Sequence, residues 1–174
     1  RGARVILVSG PVNLREPKGV ETIQVVSALE MYEAVMGVAE QADLIIKAAA
    51  VADFRPVLRG EQKVKKGGAE SMKVELQRNP DILAELGQKK GSRVLVGFAA
   101  ETEELLKHAG EKLANKNLDM IVANDVSDSS IGFNSDQNEV TVLWPGGEAV
   151  LDKAEKSALA RQIVALIAAK LDKK

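Results

Sequence analysis

Three groups of residues have the types and spacing to handle a phosphorylated ligand. The first is Ala48-Ala49-Ala50-Val51-Ala52-Asp53-Phe54-Arg55-Pro56, directly after the apolar run Leu44-Ile45-Ile46. Side chains this small let a flat ligand reach the backbone, whose amides then read a base edge. Asp53 has the chemistry to hold a ribose hydroxyl or help with a metal, and equally to serve as a cap or turn residue. The second group is Lys63, Lys65 and Lys66, within a polar, glycine-punctuated stretch over 54–72 that reads as a long mobile loop. A basic flap closing over phosphates fits it, as does an ordinary solvated charge run. The third is Lys112 and Lys116, four apart and so on one helical face, with His108 one turn back. Like charges at that spacing weakly oppose a helix; a bound polyanion gives the pair a purpose, and a solvated face is the plain alternative.

Two further segments lie where such a ligand would need them. Asn79-Pro80-Asp81-Ile82 starts a helix whose free amides suit polar ligand atoms, although capping alone also explains it. Val8-Ser9-Gly10-Pro11 ends a strand at the sheet edge where open α/β folds bind ligands, or is simply a turn. Neither G-x-G-x-x-G nor G-x-x-x-x-G-K-[ST] occurs, so the dinucleotide and P-loop fingerprints are absent.

The elements that must position these residues follow from short apolar runs alternating with amphipathic stretches. Val5-Ile6-Leu7-Val8, Leu44-Ile45-Ile46, Val94-Leu95-Val96 and Met120-Ile121-Val122 read as strands. Unbroken apolar strands belong in a parallel sheet covered on both faces. The expectation is therefore a doubly wound α/β fold: a mostly parallel, Rossmann-like sheet with helices on both faces. Ser27 and Glu30 have capping-box spacing before a helix over 29–40, and Asn79 caps one over 80–90. Thr102 with two acidic residues opens a third, and Asp152 and Glu155 a fourth, whose stripe of Leu159, Ile163, Leu166, Ile167 and Leu171 is core packing. Between Asn124 and Trp144 a polar stretch, the alternating strand Val140-Thr141-Val142-Leu143 and a Pro145-Gly146-Gly147 turn form a strand-rich excursion, available for dimerisation.

Composition excludes several classes. With 174 residues, 45% of them hydrophobic, one domain over 1–174 is the simplest organisation. The 24 basic and 25 acidic residues leave no global charge for nucleic acid. Without cysteine and with one histidine, disulfides, thiol nucleophiles and Cys- or His-rich metal cages drop out. No run of 18 apolar residues and no signal-peptide layout occur, which makes a soluble cytoplasmic protein with no membrane partner the expectation.

The order and wording of these segments carry a resemblance. Val8 to Val12, Ala28-Leu29-Glu30-Met31, Ala48 to Pro56, Lys63-Val64-Lys65-Lys66, Asn79-Pro80-Asp81-Ile82, Val96 to Thr102, Lys116-Asn117-Leu118-Asp119, Ala123-Asn124-Asp125-Val126 and Gly132 to Asn138 resemble the bacterial CTP-dependent phosphopantothenate–cysteine ligases over nearly the whole chain. The resemblance implies an enzyme of coenzyme A biosynthesis acting on CTP, 4′-phosphopantothenate and cysteine through an acyl-cytidylate, with magnesium on the triphosphate. It implies nucleotide contacts at Lys47, Ala48, Ala49, Asp53, Pro80, Asp81, Ile82, Leu83, Phe98, Lys112 and Lys116, with Lys63 both near the triphosphate and catalytic, and metal ligands left open. A homodimer through residues 124–145 is implied too. The family also has a first strand, a Ser-Ser-Gly loop and a catalytic asparagine before the position of Arg1, and in many bacteria an FMN-dependent decarboxylase ahead of those; this chain is expected to be a ligase domain lacking that first strand and loop, with FMN relevant only if a decarboxylase precedes it. An NAD(P)-binding Rossmann-type reductase has the same strand–helix pattern, and a non-catalytic dimerisation module is the alternative from another class.

Overall fold

A computed structural model describes residues 2–57, 71–101, 104–125 and 135–171. In chain order its elements are β1 (Ile6–Ser9), β2 (Glu21–Gln24), α1 (Ala28–Ala39), β3 (Leu44–Lys47), β4 (Phe54–Pro56), β5 (Leu76–Arg78), α2 (Ile82–Gln88), β6 (Val94–Glu101), α3 (Leu105–Asn115), β7 (Met120–Asp125), β8 (Gln137–Trp144), β9 (Gly147–Glu155) and α4 (Lys156–Leu171). They divide into two compact units, residues 1–38 with 50–82, and residues 39–49 with 83–174.

In the second unit, five strands form one sheet in the order β3-β6-β7-β8-β9. The β3–β6 and β6–β7 pairs are parallel, and the β7–β8 and β8–β9 pairs antiparallel. Val94 and Val96 of β6, Met120 and Val122 of β7, and Val140 and Val142 of β8 pack against Leu159, Ile163 and Ile167 of α4. Two-residue spacing puts each strand set on one face, while four-residue spacing aligns the helix stripe. Leu83 of α2 and Leu118 lie on the opposite face, so close that a methyl on Gly97 would stand 2.9 Å from Leu118 Cδ1 and 3.0 Å from Leu83 Cδ2. Helices on both faces of a central parallel sheet are thus what the apolar runs required. At the amino ends of the strands, Leu95 N–H donates to Asp119 Oδ2 (2.8 Å) and Asp119 N–H to the Leu95 carbonyl (2.9 Å). Lys90 Nζ stands 3.2 Å from the same carboxylate, which joins β6 to the turn before β7.

The first unit holds two small sheets, β1 parallel to β2 and β4 antiparallel to β5. Its helix α1 starts as the capping-box spacing requires. Glu30 N–H donates to Ser27 Oγ (3.2 Å), Ser27 Oγ donates to Glu30 Oε1 (3.0 Å), and Val26 N–H donates to Glu30 Oε2 (2.8 Å).

Several boundaries differ from the sequence expectations. Asp152 and Glu155 do not open a helix: both lie in β9, whose pairing with β8 runs to Gln137↔Glu155, and α4 begins at Lys156. Cross-strand pairing there overrides the local cap signal. Helix α2 starts at Ile82 because the Asn79 side chain is engaged with Ala52 and Arg55 instead of capping. Helix α3 begins at Leu105, with Glu104 in the left-handed region (φ 47°); Thr102 lies outside the described residues. Within the segment Val140 to Leu143, Thr141 to Leu143 present no free edge. Strand β7 pairs along one side of them and β9 along the other, after a Pro145-Gly146 turn with Gly146 at φ 82°. The chain's own β9 occupies the place that the sequence left for another subunit.

Candidate functional site

The rows of side chains facing α4 continue beyond the buried core toward the carboxyl ends of the parallel strands. There Ile46 follows Leu44, Phe98 follows Val96, and Asn124 follows Val122, each by the two-residue strand period. With Ala48, Val140 and the first turns of α4 they enclose a groove of about 500 Å³. That volume and its mainly apolar wall suit a small organic ligand, and its few polar groups, Asn124, Asn138 and Lys156, would orient one. Asn138 Oδ1 already accepts the Glu139 N–H (3.0 Å). The Asn124 side chain has no hydrogen-bond partner among the described residues.

Of the residues expected at a nucleotide, Ala48 and Phe98 line this groove. Lys47 ends β3 and donates from Nζ to the Ala49 carbonyl (3.0 Å), which fixes the turn leaving the strand; Ala48 and Ala49 are exposed beyond it. Leu83 is buried under the sheet, so its side chain is packing. Lys112 lies exposed in the last turn of α3 and Lys116 is the residue capping that helix. The Lys116 peptide oxygen sits against Gly87, at the end of α2. His108 Nε2 is 3.8 Å from Glu104 Oε2, and Lys107 Nζ is 2.8 Å from the same oxygen.

The first unit carries Asp53, Pro80, Asp81 and Ile82. Asp53 and Asp81 are exposed, Pro80 is half-buried and Ile82 is buried. The Asn79 side chain donates to the Ala52 carbonyl (2.8 Å) and accepts from Arg55 Nη1 (2.9 Å), while the Asn79 N–H donates to the Asp53 carbonyl (2.8 Å). Two segments 24 to 27 residues apart in the sequence thereby become one piece of structure. Lys63, Lys65 and Lys66 lie outside the described residues.

Sequence reasoning missed the individual roles of Asn124 and Asn79. For Asn124 a signal existed: it continues the row Met120 and Val122 and is the polar member of an otherwise apolar period. For Asn79 none did, because its amide is spent on a strand partner that spacing does not reveal. Among the described residues no group of three or more histidine, aspartate or glutamate side chains is placed to hold a metal, and no helix is long and apolar enough to cross a membrane.

The groove lies at the carboxyl edge of an open α/β sheet, and comparison with known proteins gives the family. The family described as DNA/pantothenate metabolism flavoprotein C-terminal domain matches residues 1–171, and the chain belongs to it. Among similar proteins is the coenzyme A biosynthesis bifunctional protein CoaBC of Bacillus subtilis, 54% identical over 149 residues, which are 84% of this chain and 36% of that protein. CoaBC of Vibrio parahaemolyticus is 50% identical over 165 residues, 94% of this chain and 41% of the relative. CoaBC of Escherichia coli K12 is 41% identical over 177 aligned residues, covering 100% of this chain and 44% of the relative. The chain thus spans about two-fifths of the length of these relatives. The solved C-terminal domain of CoaBC superposes with a TM-score of 0.82 at 41% identity, over 99% of this chain and 79% of that one. A DNA/pantothenate metabolism flavoprotein from Streptococcus pneumoniae shares the fold, with a TM-score of 0.80 at 16% identity.

Proposed function

We propose that residues 1–174 form the ligase part of a coenzyme A biosynthesis protein, joining 4′-phosphopantothenate to cysteine at the expense of CTP. The carboxylate oxygen attacks the α-phosphorus of CTP, the bond to the β-phosphate oxygen breaks, and pyrophosphate leaves. The cysteine amine then attacks the acyl carbon of the acyl-cytidylate, CMP departs with the bond electrons, and the amine proton is lost to give phosphopantothenoylcysteine. A carboxylate needs this activation because its own oxygen is a poor leaving group.

The observation that carries the proposal is the groove at the carboxyl ends of β3, β6 and β7, with Ala48 and Phe98 in its wall. An aromatic ring beside small residues and exposed backbone suits a pyrimidine base, and Asn124 supplies an amide able to donate to and accept from a base edge. Lys47, Ala49, Asp53, Pro80, Asp81, Ile82, Leu83, Lys112 and Lys116 are proposed nucleotide contacts on the resemblance, with Ile82 and Leu83 offering backbone because their side chains are packed. Lys63 is proposed as the cation that meets the charge developing on the phosphates. Magnesium would arrive on the triphosphate and spread its charge. FMN would belong to a decarboxylase part of a longer protein.

A homodimer remains part of the proposal, in altered form. Because Thr141 to Leu143 is paired on both sides, a contact made there uses side chains instead of an open strand edge. Sedimentation of the full-length protein as a monomer at micromolar concentration overturns it.

Thermal-shift and calorimetric titration with CTP, ATP and NADPH, each nucleoside triphosphate with magnesium, tests the nucleotide. CTP should bind most tightly and stabilise the fold, since a ligand raises stability only by binding the folded state. Equal affinity for CTP and ATP removes the cytidine claim. A response to NADPH alone favours a reductase, and no response to any of them favours a dimerisation module.

A further inference from the structure

Asn79 is the buried polar side chain among the described residues, 7% exposed, yet it lies next to an exposed segment and touches no core polar group. Every polar atom of its side chain points back along the chain. Its Nδ2 donates to the carbonyl of Ala52 and its backbone N–H donates to the carbonyl of Asp53 (2.8 Å each). These two carbonyls belong to the peptide planes on either side of the Asp53 Cα. With both planes held by one residue, the φ and ψ of Asp53 are fixed, and only its own side-chain torsions stay free. The Asp53 carboxylate is exposed and has no hydrogen-bond partner among the described residues.

Asn79 is itself held in place. Arg55 Nη1 donates to Asn79 Oδ1 and to the Arg78 carbonyl (2.9 Å each), and Arg55 Nε and Nη2 stand 3.2 Å from the Gln77 amide oxygen in the orientation that satisfies both. The planar guanidinium thus spans three consecutive residues of β5 and its extension, and sets the angle of the Asn79 amide. Its positive charge falls on the amide oxygen, which polarises the Nδ2 donor toward Ala52.

We propose that Asn79 is a positioning residue that, braced by Arg55, aims the Asp53 carboxylate at the ribose or at the divalent cation of a bound nucleoside triphosphate. It acts through Asp53 and need not touch the ligand. An aspartate on a free loop would lose both backbone and side-chain freedom on meeting its ligand, whereas one whose backbone is already held loses only that of its side-chain torsions. This inference rests on the proposed nucleotide chemistry.

The test is a double-mutant cycle in the full-length protein, with KM for CTP, kcat and Tm measured for each member. Asn79→Asp is nearly isosteric and keeps an acceptor for Arg55, but removes the donor to Ala52. It should raise KM for CTP about ten-fold with Tm shifted by only a few degrees, the scale of one lost anchoring hydrogen bond. The same substitution in an Asp53→Asn background should change KM by less than about two-fold, because the group it positions no longer carries the charge. Asn79→Gly gives a second check that does not depend on the new carboxylate, and its effect on KM should also vanish beside Asp53→Asn. If wild-type protein fails to use CTP, the reading of function falls and this inference falls with it. If wild-type protein uses CTP while Asn79→Asp leaves KM unchanged, or multiplies independently with Asp53→Asn, the positioning role alone is overturned.

Discussion

The two units of the chain are held by different forces. In the second, β6 and β7 are buried on both faces and α4 closes one of them with Leu159, Ile163 and Ile167, so packed apolar surface does most of the stabilising. In the first, β1 with β2 and β4 with β5 make two-stranded sheets, and Phe54, Leu76 and Val74 stay more than half exposed. Two strands alone are marginal in water, so polar ties such as the Ser27–Glu30 box and the Asn79–Arg55 brace matter more there. The difference teaches where geometry is easily disturbed: the packed unit is held by buried apolar surface, while the lightly packed one carries segments whose geometry is set by a few hydrogen bonds.

The contrast is broken most directly by cutting the core of the packed unit. Ile167→Ala, in a side chain 1% exposed, should destabilise by about 2–5 kcal/mol in chemical denaturation. A loss below about 1 kcal/mol would show that α4 contributes little and that the units do not differ as described. Gly87→Ala should come next in severity. The added methyl collides with the Lys116 peptide oxygen, a backbone atom that cannot turn aside as a side-chain end does, so a cost of about 1–3 kcal/mol is expected.

Catalysis sharpens the comparison further. Lys63→Gln in the full-length protein should lower kcat by about 100-fold, the scale of one lost electrostatic contact to a transition state. Lys112→Gln, on the already formed α3, should mainly weaken CTP binding and change turnover less, since its ammonium is in place before any closure. Rapid-quench measurement of pyrophosphate release separates the two; full turnover by Lys63→Gln removes the catalytic assignment. At the small end, Ser27→Ala should cost about 1 kcal/mol through loss of the α1 cap. Arg4→Gln should move stability by less than about 0.5 kcal/mol, because the Arg4–Glu21 pair, 2.9 Å apart, is largely in water. Equal losses from these last two would contradict the view that directed backbone ties outweigh surface charge in the first unit.

Much was legible without coordinates. The apolar runs at 94–96 and 120–122 gave central parallel strands because residues covered on both faces cannot be polar, and the Leu159–Ile163–Ile167 stripe gave a helix packed on one side. Ser27 with Glu30 gave the start of α1 because a capping box is complete within four residues. The ordered motifs gave the family. Short-range rules of this kind need no knowledge of what lies opposite.

What sequence alone left undecided was every feature set by a distant partner. Asp152 and Glu155 look like a helix start until β8 is beside them, and Val140 to Leu143 looks like an open edge until β9 covers it. Asn79 reads as a cap until Ala52 and Arg55 come within hydrogen-bond distance across more than twenty residues. Asn124 reads as one letter of a motif until the strand period carries it into the groove with Phe98. A strand ladder or a side-chain amide satisfies its bonds with whichever group the fold brings near, and that choice belongs to the tertiary structure.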